Sequence, residues 1–226
     1  MVTEPQHSPN LPMLLSLNAG YTDAIGFLAL HGLFTAHVTG NFVTLGASLA
    51  LGVSGLVAKL LALPVFCIVV ITTRVFALRL AAMNRAGLRI MLATEVLLLA
   101  GGAGMALRFG PFPNGDSIGA IATGMLLVAA MAVQNATHRI YLAQLPPTTI
   151  MTGTTTQIMI DVADFLQGLS PEASVSAAAR LRRMSITVVT FAAGCGGAAL
   201  LYATSGHWCF LVPPLLGLLI LLLDLG

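Results

Sequence analysis

The sequence predicts an all-α polytopic membrane protein: six transmembrane helices plus two short re-entrant or broken helices, arranged as two inverted repeats. Three observations carry this prediction. Of 226 residues, 57% are apolar and only 8% are charged, against roughly 25% charged in a soluble domain. Six apolar stretches come close to or exceed the about 20 residues that a helix needs to cross a bilayer. Two polar motifs recur in the same order half a chain apart. So few charges cannot clothe a soluble surface, which excludes a soluble enzyme and a disordered chain. A net charge of +2 gives no footprint for nucleic acid.

Residues 1–10 contain Glu4 and no Lys or Arg. A cleaved signal needs a positive n-region, so this stretch reads as a short cytoplasmic tail. The first repeat, 11–109, holds the expected spans Leu11–Leu33, Leu56–Leu80 and Leu88–Leu107. A Gly/Pro-rich linker, 110–116, leads to the second repeat, 117–226, with spans Ser117–Leu142, Leu181–Ala203 and Trp208–Leu225. Between the first two spans of each half lies a doubtful segment. His37–Leu51 is too short to cross comfortably, and Thr148–Gln167 is studded with Thr, Gln and two Asp.

The repeat rests on two motifs. Asp23-Ala24 matches Asn135-Ala136, and Thr39-Gly40 matches Thr152-Gly153, 113 residues on. Charge then chooses the topology, because Lys and Arg gather on the cytoplasmic side near span ends. With six spans and the N-terminus inside, Arg79, Arg85, Arg89, Arg139, Arg180, Arg182 and Arg183 face the cytoplasm, and only Lys59 and Arg108 face out. The alternative, eight spanning segments in parallel repeats, divides the charges almost evenly. A three-span unit reverses on duplication, so the six-span reading makes the halves an inverted pair with both termini cytoplasmic. Such repeats, with interrupted helices at mid-membrane, mark transporters and channels.

Polar residues at membrane depth are costly and usually face the bundle interior. Asn18 and Thr22 share a helical face with Tyr21 and Asp23 beside them, and Gln134, Asn135 and His138 stand in the corresponding place of the second half. Both TG motifs, Thr39-Gly40-Asn41 and Thr152-Gly153-Thr154, promise a close backbone approach and a threonine cap on the short helix that follows. An uncovered helix start there favours an anionic or strongly polar ligand. The expected substrate-binding set is therefore Asn18, Tyr21, Thr22, Asp23, His37, Thr39, Gly40, Asn41, Gln134, Asn135, His138, Thr152, Gly153 and Thr154. Asp23, Asp161 and Glu95 are the proton-coupling candidates. Asp23 has Arg74 and His37 as potential partners, Glu95 has Arg89, and Asp161 and Asp164 share one face. Cys67, Cys195 and Cys209 read as buried hydrophobes without a disulfide or metal role. No HExxH, GxSxG or GxGD motif appears. Neither catalysis, a cofactor nor a metal is expected.

These residues resemble the YoaK-type family of bacterial inner-membrane proteins. The matching pieces are Ala19-Gly20-Tyr21-Thr22-Asp23-Ala24 with Gly26-Phe27, His37-Val38-Thr39-Gly40-Asn41, Gln134-Asn135-Ala136 with Arg139, and Thr152-Gly153. The resemblance covers nearly the whole chain and implies a multi-span protein of a group labelled as small-molecule transporters. Family patterns often carry TGN in both halves. Here the second copy ends in Thr154, so the half-sites differ. The expected function is a secondary transporter of a small polar or anionic solute, proton-coupled and with its site between the halves. A passive channel or a non-transporting assembly or sensor protein is the alternative. The expected partners are that solute, the bilayer and a second copy in a homodimer.

Overall fold

The computed structural model describes residues 10–223. Most of the tail read from residues 1–10 lies outside them. Every regular element among the described residues is helical: α1 Leu11–Ala29, α2 Asn41–Leu51, α3 Leu56–Ala82, α4 Gly87–Phe109, α5 Ile118–Tyr141, α6 Met151–Gln167, α7 Pro171–Ser205 and α8 Val212–Leu223, with 3-10 turns at Val38–Gly40 and Gly206–Leu211. Four stretches are long and apolar enough to cross a membrane: Leu56–Ala82, Gly87–Phe109, Ile118–Tyr141 and Pro171–Leu223. Helix α1 has 19 residues but is diluted by Asn18, Tyr21, Thr22 and Asp23.

Three boundaries depart from the apolar pattern, the simplest being α8, which starts at Val212 rather than Trp208 because the chain first makes the 3-10 turn Gly206–Leu211. Helix α1 stops at Ala29 rather than Leu33, because His31 (φ 55°) and Gly32 (φ 83°) enter the left-handed region that ends a helix. Helix α7 starts ten residues before Leu181. Ser170 accepts from the Ala173 N–H, Pro171 fills the first turn and Glu172 sits at the positive dipole end. Start signals, not hydrophobicity, set that boundary.

Helix pairing repeats with the halves exchanged. Helix α1 packs on α7 as α5 packs on α3, α4 on α5 as α8 on α1, and α2 on α3 as α6 on α7, while α4 meets α8 and α1 meets α5 across the middle. Glycines allow the closest of these approaches. A Cβ on Gly20 would run into the Phe191 carbonyl, and one on Gly194 into the Leu17 carbonyl, so the α1 and α7 backbones touch. Ser16 Oγ donates to the Thr187 carbonyl at 2.7 Å in the same seam. Helices α1 and α5 run antiparallel: Gln134 Nε2 donates to the Leu15 carbonyl, and near the other end Gly124 faces Leu30 and Leu33.

Each short helix belongs to a segment that returns to the end it left. His31, just after α1, bonds Ser54, just before α3, at 3.3 Å. Between them the chain dips to the level of Asp23, six residues inside α1, or roughly 9 Å at 1.5 Å per residue. In the second half, Thr148 and Thr149 reach back to Gln134 and Asn135 of α5 before α6 begins. The 113-residue offset pairs Val38 with Met151, where the two short helical segments start. It also pairs Ser48 with Asp161, the residues that tie α2 and α6 to the next helix: Lys59 Nζ donates to Ser48 Oγ, and Arg180 donates two hydrogen bonds to the Asp161 carboxylate, at 2.7 and 2.9 Å.

Candidate functional site

The residues expected to form one site fall into three places. The first is the hinge of each returning segment. Asp23, 4% exposed, accepts at Oδ1 from the N–H groups of Thr35 (2.7 Å), Ala36 (2.7 Å) and His37 (3.4 Å). Its Oδ2 pairs with His37 Nδ1 at 2.7 Å. This bond holds the imidazole of His37 above the ordinary histidine range, against the opposing effect of burial. The partner of Asp23 is therefore His37, and Arg74 stays exposed. At the equivalent point Asn135 Oδ1 accepts from Thr149 Oγ1 at 2.6 Å, while Asn135 Nδ2 donates to the Met131 carbonyl. Asp23, His37 and Gly40 also line a recess of about 520 Å3, walled by Phe27, Phe34 and Phe191.

The second place is the surface of the short helices. No side chain caps the 3-10 turn, α2 or α6, so the expected threonine caps do not form. Thr39, Thr152 and Gly153 are exposed. The third residue of each motif is the buried one. Asn41 brackets the backbone of Phe34 through both its amide atoms, and Thr154 Oγ1 donates to the Ile150 carbonyl. Tyr21 points elsewhere, donating its hydroxyl to the Cys209 carbonyl at 3.0 Å. His138 bonds the Pro146 carbonyl at 3.0 Å, at the end of α5 where Arg139, Arg180 and Arg183 gather.

The third place is the middle of the molecule. Asn18, Thr22, Glu95, Gln134 and Thr137 are each no more than 2% exposed, yet each holds at least one buried polar atom without a hydrogen-bond partner. Three of these atoms, Asn18 Oδ1, Glu95 Oε1 and Gln134 Oε1, are carbonyl or carboxyl oxygens. Thr22 and Thr137 contribute hydroxyls, and Asn18 Nδ2 is a donor. Helix register sets Asn18, Glu95 and Gln134 near one level, with Thr22 about one turn along α1 and Thr137 about one turn along α5 in the opposite direction. On the α4/α5 pair Gly87 meets Tyr141, Gly102 meets Leu127 and Phe109 meets Gly119, which sets Glu95 level with Gln134. A Cβ on Gly217 would meet Val96 at 2.9 Å, Leu99 at 3.7 Å and Asn18 Nδ2 at 3.9 Å, so α1, α4 and α8 converge at the same level. Buried polar atoms are almost always paired, and each unpaired one costs about 1–3 kcal/mol. Six such atoms on the inner faces of three helices, strung along the bundle axis from Thr137 through Gln134, Glu95 and Asn18 to Thr22, form a polar track through an otherwise apolar interior.

The sequence singled out Asn18, Thr22, Gln134 and Glu95 but passed over Thr137. Its signal was available: Thr137 follows Gln134 by three residues, on the same helical face. The second coupling candidate, Asp161, is held by Arg180 and by Gln157 Nε2 at 2.9 Å, while Asp164 is exposed. Glu95 makes no ion pair with Arg89 among the described residues. Nor do the described residues include any group of three or more His, Cys, Asp or Glu placed to hold a metal ion.

The two ends of the bundle differ. Where α1 ends and α3 begins, His31 Nε2 meets the Phe112 carbonyl at 2.8 Å, Gly115 N donates to Ser54 Oγ, and Asp116 accepts from the N–H groups of Gly55 and Val57. These bonds lace the three connections together at this end. At the opposite end two adjoining cavities of about 500 and 270 Å3 open between α1, α7 and the stretch after α5.

No curated protein and no solved structure matches the chain. The YoaK-type resemblance is consistent with the family match that does exist. That match covers residues 11–223, and the chain belongs to the family described as "Protein of unknown function (DUF1275)".

Proposed function

We propose that the protein is a secondary transporter of a small, uncharged or donor-rich polar solute, moved between two inverted halves in a bacterial inner membrane. The observation that carries this reading is the set of unpartnered polar atoms on Asn18, Thr22, Glu95, Gln134 and Thr137, where α1, α4, α5 and α8 meet. Such a cluster is rich in acceptors, holds one acid and includes no cation. It suits a solute bearing N–H or O–H groups better than an anion.

Three features support the inverted reading. The exchanged pairing, the antiparallel α1/α5 pair and the returning short segments all fit six spans with two re-entrant helices. Arg79, Arg85, Arg89, Arg139, Arg180, Arg182 and Arg183 fall at the open end, with Lys59 and Arg108 at the laced end. The positive-inside rule then makes the open end cytoplasmic, together with both termini. A laced end opposite an open one fits an inward-facing state of alternating access better than a passive pore.

Glu95 is the coupling acid in this reading. It sits between the halves with a free oxygen, where rocking would expose it to each side in turn. Asp23 already accepts from three backbone N–H groups and pairs with His37, and Asp161 accepts from Arg180 and Gln157, whereas Glu95 Oε1 has no partner. In proteoliposomes screened with small amines, amides and polyols, uptake is expected to saturate and to follow an imposed pH gradient. Glu95→Gln is expected to abolish gradient-driven uptake while leaving counterflow exchange. Non-saturating, gradient-independent flux would instead mark a channel, and no flux for any solute an assembly or sensor protein.

A further inference from the structure

We propose that the arginine-lined cavities at the open end form a binding site for the phosphate of an anionic lipid headgroup. The two cavities, about 500 and 270 Å3, share Leu145, Pro146 and Arg183 and behave as one cleft. Arg182 lines the larger part, and Arg139 and Arg180 the smaller. Arg180 is neutralised by Asp161. Among the described residues no carboxylate lies within salt-bridge range of Arg139, Arg182 or Arg183, and no acid lines either cavity. The cleft therefore presents three guanidiniums, whose planar forks suit phosphate oxygens.

The laced end indicates what is missing from this one. There the carboxylate of Asp116 binds the start of α3 and joins the α4–α5 connection to it, and the cationic group, Lys59, turns inward to Ser48. No described residue plays the part of Asp116 at the arginine end.

The walls identify the source of that anion. Met13, Leu145 and Ile186 line the larger cavity, and Ile186 is 38% exposed. Arg182 and Arg183 stand just before the apolar stretch of α7, at headgroup depth. Basic pockets between helices on the cytoplasmic side are the usual seat of anionic headgroups, and the apolar wall receives the glycerol and the start of the chains. That the anion is a lipid and not cargo rests on the acceptor-rich centre of the proposed transport site.

The test is thermal stability of the full chain in maltoside micelles, titrated with phosphatidylglycerol, phosphatidylcholine or inorganic phosphate. It reads binding without transport, so its outcome is separate from that of the transport assay. Phosphatidylglycerol is expected to raise the melting temperature, and the other two to do little. Arg182→Gln with Arg183→Gln is expected to raise the half-saturating lipid concentration about fivefold per arginine removed. Arg182→Lys with Arg183→Lys should keep part of the effect, through charge without the planar fork, and Arg79→Gln with Arg85→Gln all of it. Equal stabilisation by phosphatidylcholine, an unchanged response in the Arg182/Arg183 glutamine variant, or a full response to inorganic phosphate alone would each overturn the assignment.

Discussion

Asp23 and Asn135 hold the same place in the two halves, and each fastens the chain that leads into a short helix. Asp23 does so with a carboxylate that gathers three backbone N–H groups and an imidazole. Asn135 does so with one amide oxygen on one threonine hydroxyl. The fold thus requires an acceptor at this depth but not a charge. The charge of Asp23 serves His37, which the second half lacks. A polar residue at membrane depth can therefore be a hinge pin, and its ionisability alone does not make it part of a transport mechanism.

Removing the acceptors separates the two hinges most visibly. Asp23→Ala leaves the N–H groups of Thr35 and Ala36 buried and unpaired, at about 1–3 kcal/mol each. Asn135→Ala loses two side-chain bonds, to the Thr149 hydroxyl and to the Met131 carbonyl, at about 1 kcal/mol each, but leaves no backbone N–H of the returning chain unpaired. Thermal melts in detergent should show the first variant far more destabilised than the second, and equal losses would refute the unequal roles. A smaller effect is expected for Asp23→Asn, which retains an acceptor for the loop. Its cost should be about 1 kcal/mol at pH 6 and less at pH 8, where His37 is less often charged.

The smallest effect is the pH dependence of the native protein itself. His37 is held above its ordinary value in the folded state, so its pairing contributes fully below about pH 6.5. That contribution is lost as pH rises through the folded value. His37→Gln should flatten this part of the stability profile, and a profile unchanged by the substitution would remove the imidazole from the account.

The sequence made the helices legible to within a few residues wherever apolar content alone sets the boundary, as at Leu56 and Leu142. It failed where local chemistry decides. His31 and Gly32 turn the chain four residues early, and the Ser170-Pro171-Glu172 start adds amphipathic turns to α7 that no hydrophobicity criterion registers. The repeat offset proved more informative than the motifs that revealed it, because it also relates Ser48 to Asp161. Neighbouring polar residues could not be sorted from sequence. Asn18 and Thr22 face the centre while Tyr21 reaches Cys209, 188 residues away, and only the tertiary arrangement separates them. Thr39 and Thr152 looked like caps because threonine commonly caps helices, but the helices begin with no side-chain cap.

Inverted halves require α3 and α7 to start on opposite faces of the membrane. The most direct test is sided labelling with a membrane-impermeant maleimide, after Cys67, Cys195 and Cys209 are replaced by alanine. Single cysteines would replace Val53, which is 43% exposed ahead of α3, and Glu172, exposed in the first turn of α7. Labelling of the Val53 site only from outside and of the Glu172 site only from the cytoplasm is the predicted result. Labelling of both from the same side would contradict the inverted halves and the site placed between them.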